Sequence, residues 1–372
     1  MTINNYELTI KKIIQMKTIK YALALLFAGI SINMMAQAPV ALHHEGTTTL
    51  FSGATALNQA YTAAVNGDTL YLPGGGFTPP AAFQKSLKIY GAGFYPDSSR
   101  VASKTVINGN ISFTAPVPNF YIEGVEITGT LSNSAAANKV DGLIVKNCKI
   151  NGGTTFAASE TVYSDNILLV GSVFIGNLSF STYTSNVLIT NCIIQGVIQY
   201  SVDNLISNNI LLLDDSYNGN ATIRNAYGNT IKNNIFYSCY ISSNSGSTPA
   251  NSIVNNNLVI MTPYGGSVHY GLNPINTDGN YYNTATGIPA NTVFVNQTGK
   301  VFDYTHNYHL LLAAATNYLG TDGTQVGIYG GLYPAKNGWI PSHPYIQNAN
   351  VSPETNSTGQ LQLNFRAIAQ PN

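Results

Sequence analysis

The chain has 372 residues, with Lys+Arg and Asp+Glu both at 16 and only 9% of residues charged, against roughly 25% in an average globular protein. Without a basic stripe to neutralise phosphates, the sequence excludes a nucleic-acid-binding role. Solubility must come from Asn, Ser, Thr, Gly and Tyr, a composition that suits an exported β protein better than a cytosolic enzyme.

Residues 1–15 read as an upstream extension. Residues 16–38, "MKTIKYALALLFAGISINMMAQA", have a basic start at Lys17 and Lys20, an apolar run and small residues at Ala36 and Ala38. That is the pattern of a secretory signal peptide, and the apolar run is too short to span a bilayer. We therefore expect a secreted or cell-surface protein with no membrane span. The mature N-terminus, with His43 and His44, is expected to be flexible.

Residues 39–93 read as an N-terminal cap. Leu57, Ala60, Tyr61 and Ala64 have helical spacing, Asn66-Gly67-Asp68 ends the helix, and "TLYLP" and "SLKIYGAGF" supply strands. Residues 94–333 carry a repeat. IEGVEI (122–127), VKNCKI (145–150), LVGSVF (169–174), ITNCII (189–194), ISNNIL (206–211), IKNNIF (231–236) and IVNNNL (253–258) align. The third positions are Gly124, Asn147, Gly171, Asn191, Asn208, Asn233 and Asn255, spaced by 17 to 25 residues.

That period, with strand-like rather than helical apolar spacing, predicts an all-β fold: a right-handed parallel β-helix with one short strand per coil in each sheet. Asn and Gly best tolerate positive φ, so the third position is predicted to be a corner, with asparagines on successive coils bonding one another. The register places Glu123 beside Lys146 and Glu126 beside Lys149, as ion pairs on the outer face. Cys148 and Cys192 stand two coils apart, about 9.6 Å, beyond disulfide reach, and read as small core fillers. The column Val173, Ile193, Ile210 and Ile235 leaves two alternatives. If it faces outward, it needs a cover from the C-terminal hairpin or a partner; if inward, the charge ladder is wrong in those coils. Residues 334–372 form a C-terminal hairpin tail, with runs at 345–351 and 361–369 and Leu361, Leu363 and Phe365 on one face.

The "GDTLYLP" and "LKIYGAGF" strands and the closing segment "VFVNQTGKVFDYTHNYHLLLAAATNYLGTDGTQVGIYGG" (293–331) resemble the two ends of secreted β-helix proteins of the pectate-lyase-like superfamily. The resemblance spans roughly residues 47–335 and implies the fold rather than an activity. The superfamily's lyases use a basic residue with Ca²⁺ on a carboxylate cluster, and its hydrolases use aspartates. Of the hydrolase signature only Asp214-Asp215 is present, without a Gly-His-Gly.

The candidate catalytic cluster is therefore Asp214, Asp215, Arg224 and Lys232, for which the alternative is an ordinary polar turn in "LDDSYNGN". Ca²⁺ is implied only for a lyase; otherwise no cofactor and no metal site are expected. His306 and His309 resemble a metal pair superficially, and Gly74-Gly75-Gly76 lacks the lysine and helix of a phosphate loop. Tyrosines between strands, Tyr200, Tyr217, Tyr227 and Tyr240, are candidate substrate-binding residues. The leading expectation is an exported protein that binds polysaccharide or another extracellular partner without strong catalysis. A divergent polysaccharide lyase or glycoside hydrolase and an adhesive solenoid are the alternatives.

Overall fold

A computed structural model describes residues 39–96, 103–133, 135–213, 221–243, 251–261, 264–269 and 277–368; the segment 16–38, expected to be a leader, lies outside them. The chain is a parallel β-solenoid of about seven turns. An 11-stranded, a 9-stranded and a 7-stranded sheet run along the column, and each coil adds one strand to each. We call these the first, second and third sheets. Aliphatic side chains alternate inward: Ile122, Val145, Leu169, Ile189, Ile206, Ile231 and Val254 stack from coil to coil on the first sheet, all without solvent exposure.

The corners are where the repeat places them, with one slip. Gly124, Asn147, Gly171, Asn191, Asn208 and Asn233 all have φ between 48° and 72°, linking a first-sheet strand to a second-sheet strand. In the seventh segment the turn falls on Asn256 (φ 51°), not Asn255. Asn255 still belongs to the strand and pairs with Lys232. Three consecutive asparagines, 255–257, satisfy the pattern in either frame, and pairing of Ile231 with Val254 selects the second.

A second left-handed line, not recognised in the sequence, precedes the same strands: Asn119, Gly142, Asn166, Asn186, Asp203, Gly228 and Asn251. Each first-sheet strand of three residues is thus held between two corners. Between the second and third sheets a glycine stack makes the turn. A Cβ on Gly152, Gly176 or Gly196 would stand 2.3–2.5 Å from the backbone of the glycine one coil earlier.

The expected asparagine ladder exists one position later than predicted. Asn209, Asn234, Asn257 and Asn280 follow the corners and point inward, each Nδ2 donating to the next Oδ1 at 3.0 Å. Each of the first three also donates to a backbone carbonyl at 2.9 Å. Corner asparagines point outward instead, because a left-handed residue turns its side chain off the inner face. Cys148, Ser172 and Cys192 occupy the same inward column. Both cysteines are free, and burial pushes their thiols up to about 12, which leaves them inert core fillers.

The ends are closed differently. Helix α1, Ala56–Ala63, packs Ala56, Leu57 and Ala60 on the first coil. The Lys85 ammonium donates to the Tyr61, Thr62 and Ala64 carbonyls at 2.7–3.0 Å, satisfying the helix end. His43 and His44, expected in a flexible segment, lie in the strand Val40–His44, paired antiparallel with both Thr47–Phe51 and Thr69–Leu72. At the other end the chain leaves the coils and turns back. The strands Phe294–Asn296 and Asn307–Leu310 and helix α2, Leu312–Asn317, belong to this returning arm.

The arm resolves the open question about the apolar column. Val173, Ile193, Ile210, Ile235 and Leu258 face outward on the second sheet and are fully buried, because Val293, Phe294, Phe302, Tyr308, Ala314, Val326, Ile328 and Trp339 cover them in a second hydrophobic core. The cover is the arm, not the terminal hairpin. The hairpin forms as expected, Tyr345–Thr355 against Leu361–Ile368, with Leu361, Leu363 and Phe365 exposed. Removing side-chain volume under the arm leaves a void that the stacked sheet cannot close. Ile210→Ala should lower unfolding free energy by about 2–5 kcal/mol, measured by equilibrium denaturation.

Candidate functional site

The sequence-derived catalytic cluster is not brought together by the described residues. Asp214, Asp215 and Tyr217 lie outside them. Arg224 stands on the third sheet, in the outward column between Gln199 and Ser243, with its Nε donating to the Ala221 carbonyl at 3.0 Å. Lys232 stands on the first sheet between Ser207 and Asn255. The two cations therefore belong to different sheets of the column. Among the described residues no three His, Cys, Asp or Glu side chains converge in a way that could hold Ca²⁺.

The loop tyrosines are dispersed too. Tyr200 is exposed and left-handed (φ 57°), in the turn after the third sheet. Tyr227 sits beside Val202 one coil on, and Tyr240 stacks on His269 at 4.1 Å. No ring contact joins the three among the described residues. His306 contacts Tyr308, and His309 stacks on Tyr329 at 3.8 Å with Nε2 on Asn337, so both serve the arm.

The structure gathers a different set of groups on the outer face of the first sheet. Tyr71 and Tyr90 are in register on successive strands, their rings stacked at 5.5 Å, in the column that continues into Glu123 and Lys146. Tyr121 stands in the adjacent outward column, its ring 5.1 Å from that of Tyr90. From Tyr121 an outward column continues through Ile144, Leu168, Leu188, Leu205, Thr230 and Ile253, each paired with the next. All seven are half-buried. Six steps of about 4.8 Å give a track roughly 29 Å long.

One border of the track is the second corner line, an uncharged row except for Asp203. The other is the next outward column, Lys146, Val170, Thr190, Ser207 and Lys232, lying toward the arm. The alternation of aliphatic residues was legible in the sequence. Their outward direction was not, because inward and outward positions are both aliphatic and periodicity alone does not tell them apart.

At the tyrosine end the arm finishes on a buried carboxylate. Descending the first corner line, it accepts from Asn256 Nδ2 at the Leu319 carbonyl (3.2 Å). It then donates from Thr321 N to Asn233 Oδ1 (2.9 Å). Next it accepts from Asn191 Nδ2 at the Ile328 and Gly330 carbonyls (2.8 and 2.7 Å) and from Asn147 Nδ2 at the Ile340 carbonyl (3.4 Å). At Glu123 the Ser342 amide and hydroxyl donate to the two carboxylate oxygens at 2.7 and 2.8 Å, and the Tyr121 hydroxyl donates at 2.5 Å.

The predicted pairs Glu123–Lys146 and Glu126–Lys149 are in register, at 3.8 and 3.2 Å. They are not surface pairs, however, because the arm covers them. Burial alone would raise the Glu123 carboxyl, but Tyr121, Ser342 and Lys146 together hold it below the ordinary carboxylate range. Burial opposes ionisation of Glu126 as well, and Lys104, Asn151 and Lys149 outweigh it. Phe302 and Tyr304 roof this second cluster, with the Lys149 ammonium 5.0 Å from the Tyr304 ring. Both glutamates thus hold structural partners in a covered setting.

Comparison with protein-family models, with curated proteins and with solved structures finds no match for this chain. The geometry alone must carry the functional reading. Replacing Glu123 with Ala strands the Tyr121 hydroxyl and the Ser342 donors, and should destabilise the fold by on the order of 3 kcal/mol. Chemical denaturation with hydrogen exchange across residues 339–343 would test this, the arm tip losing protection first.

Proposed function

We propose that the protein is an exported solenoid that binds a linear polysaccharide along the outer face of its first sheet, without strong catalysis. The observation that carries this reading is the continuous column from Tyr121 through Leu188 to Ile253, flanked at its start by Tyr71 and Tyr90 of the neighbouring column. Its half-buried Tyr121 ring and aliphatic side chains match the apolar faces of sugar rings, and the exposed asparagines of its corner border, Asn119, Asn166, Asn186 and Asn251, match their hydroxyls. Regular strand spacing suits a ligand that itself repeats. Tyr71 and Tyr90 stack on one another in the bordering column and so offer ring edges outward, while the Tyr121 hydroxyl is held by Glu123.

Export rests on the leader at 16–38. Kinship with the pectate-lyase-like superfamily rests on the cap and closing segments, and the solenoid fold is consistent with both. No helix among the described residues is long and apolar enough to cross a membrane. Glu123 and Glu126 are engaged by lysines, hydroxyls and amides, which supports binding over acid–base chemistry at this face.

Affinity electrophoresis of the purified protein in gels containing neutral and uronic-acid polysaccharides tests the proposal. Retardation is expected in at least one gel, without unsaturated or reducing-end product. Leu188→Asp, in the middle of the track, should weaken retardation about tenfold, equivalent to roughly 1.4 kcal/mol. Asp203→Asn, at its border, should leave it nearly unchanged. Migration that ignores every glycan, or equal retardation of Leu188→Asp, would remove the track from consideration.

A further inference from the structure

The arm does not merely cover the column; it ends in a contact built around one titratable ring. His343 packs its edge on Tyr90, with ring centroids 5.1 Å apart. Its Nδ1 is buried and has no hydrogen-bond partner among the described residues. The neighbouring Ser342 closes both oxygens of Glu123, which has no solvent exposure, and Pro341 lies over the Gly124 corner. Three residues earlier Trp339, the chain's single tryptophan, is inserted between Tyr95, Phe94 and Phe302.

In this setting a neutral imidazole is accommodated and a charged one is not. The neutral ring can leave the buried, unpartnered Nδ1 bare by carrying its proton on Nε2. A second proton goes onto Nδ1, creating a buried donor without an acceptor and a charge away from water. We propose that residues 339–343 form a proton-operated latch, closed on Glu123 and Tyr90 at neutral pH and opened when His343 takes a proton onto its buried Nδ1. Opening uncovers Tyr90, Glu123 and Lys146 at the tyrosine end of the track.

The groups facing His343 are Tyr90 on the strand Lys88–Gly91, Tyr121 and Glu123 on the next strand and Lys146 on the one after, with Tyr71 stacked behind Tyr90. Burial lowers the affinity of the ring for a proton. Glu123 and the Gly91 backbone pull the other way, Lys146 adds to the burial effect, and the balance lies below the ordinary histidine value. The sign follows directly. The closed form binds this proton more weakly than the open form, so closure is complete above the ordinary value of 6.5 and weakens as pH falls below it. Glu123, whose own affinity for a proton is depressed, stays ionised through that window and is not the group that opens the latch.

Trp339 makes the latch visible in the full-length protein. With selective tryptophan excitation, emission should move reversibly to the red between pH 6.5 and 4.5, while the far-ultraviolet β signal stays constant. His343→Gln, which keeps a polar side chain of similar reach but does not titrate, should abolish the shift. Ser342→Ala, which weakens closure on Glu123, should move it to higher pH. Emission that does not move in this window, or moves identically in His343→Gln, overturns the latch. Should His343→Gln fail to fold, nitrogen-resolved titration of the His343 ring in the native protein decides. A value at or above that of a free histidine refutes the proposal, and one below it supports the latch. The latch rests on its own contacts and stands or falls separately from the glycan reading.

Discussion

The column depends on a backbone constraint: at both ends of each three-residue first-sheet strand the chain enters the left-handed region. Most residues are strained there, by roughly 1–2 kcal/mol for each one placed in it, whereas Gly and Asn enter at little cost. Two such corners separated by a three-residue strand reverse the chain sharply enough for the next coil to stack in register. Stacking in register then gives each strand's N–H and C=O groups partners on the coils above and below. Most other features, from the inward aliphatic columns to the buried asparagine ladder, follow from that register.

Parallel stacking has a consequence that a globular fold avoids. Because coils repeat, an apolar residue at an outward position recurs as a full-length stripe rather than an isolated exposed side chain. On the second sheet the stripe of Val173, Ile193, Ile210, Ile235 and Leu258 is covered by the chain's own returning arm. The outward corner asparagines Asn256, Asn233, Asn191 and Asn147 supply the arm with hydrogen-bond partners. The same residue type thus bends the chain and receives the arm, which explains why those side chains do not form the ladder among themselves. On the first sheet the corresponding stripe is left half-open, and that difference between two otherwise similar faces singles out the track.

Electrostatics here is local. With so few charges, the glutamates and lysines of the early coils sit under the arm as fully partnered groups, and their pairing reports register more than it contributes surface stability. Glu123 differs in kind from a surface carboxylate. Its oxygens join three segments far apart in sequence: its own strand, the next coil through Asn147, and the arm through Ser342. Tyr90 and His343 complete the closure, so the aromatic end of the track and the end of the arm are one structural unit.

From the sequence by itself came the parallel solenoid, six of the seven corner positions, both charge pairs in register, the capping helix and the terminal hairpin. These are set by local conformational preference and by a repeat that multiplies a weak signal over many coils. Tertiary structure alone decided which outward stripe is covered, and by which segment. It also placed Arg224 and Lys232 on different sheets and set His343 against Tyr90 and Ser342 against Glu123. Such contacts join residues some two hundred positions apart, and no local propensity or period encodes which distant segment returns to meet a given coil.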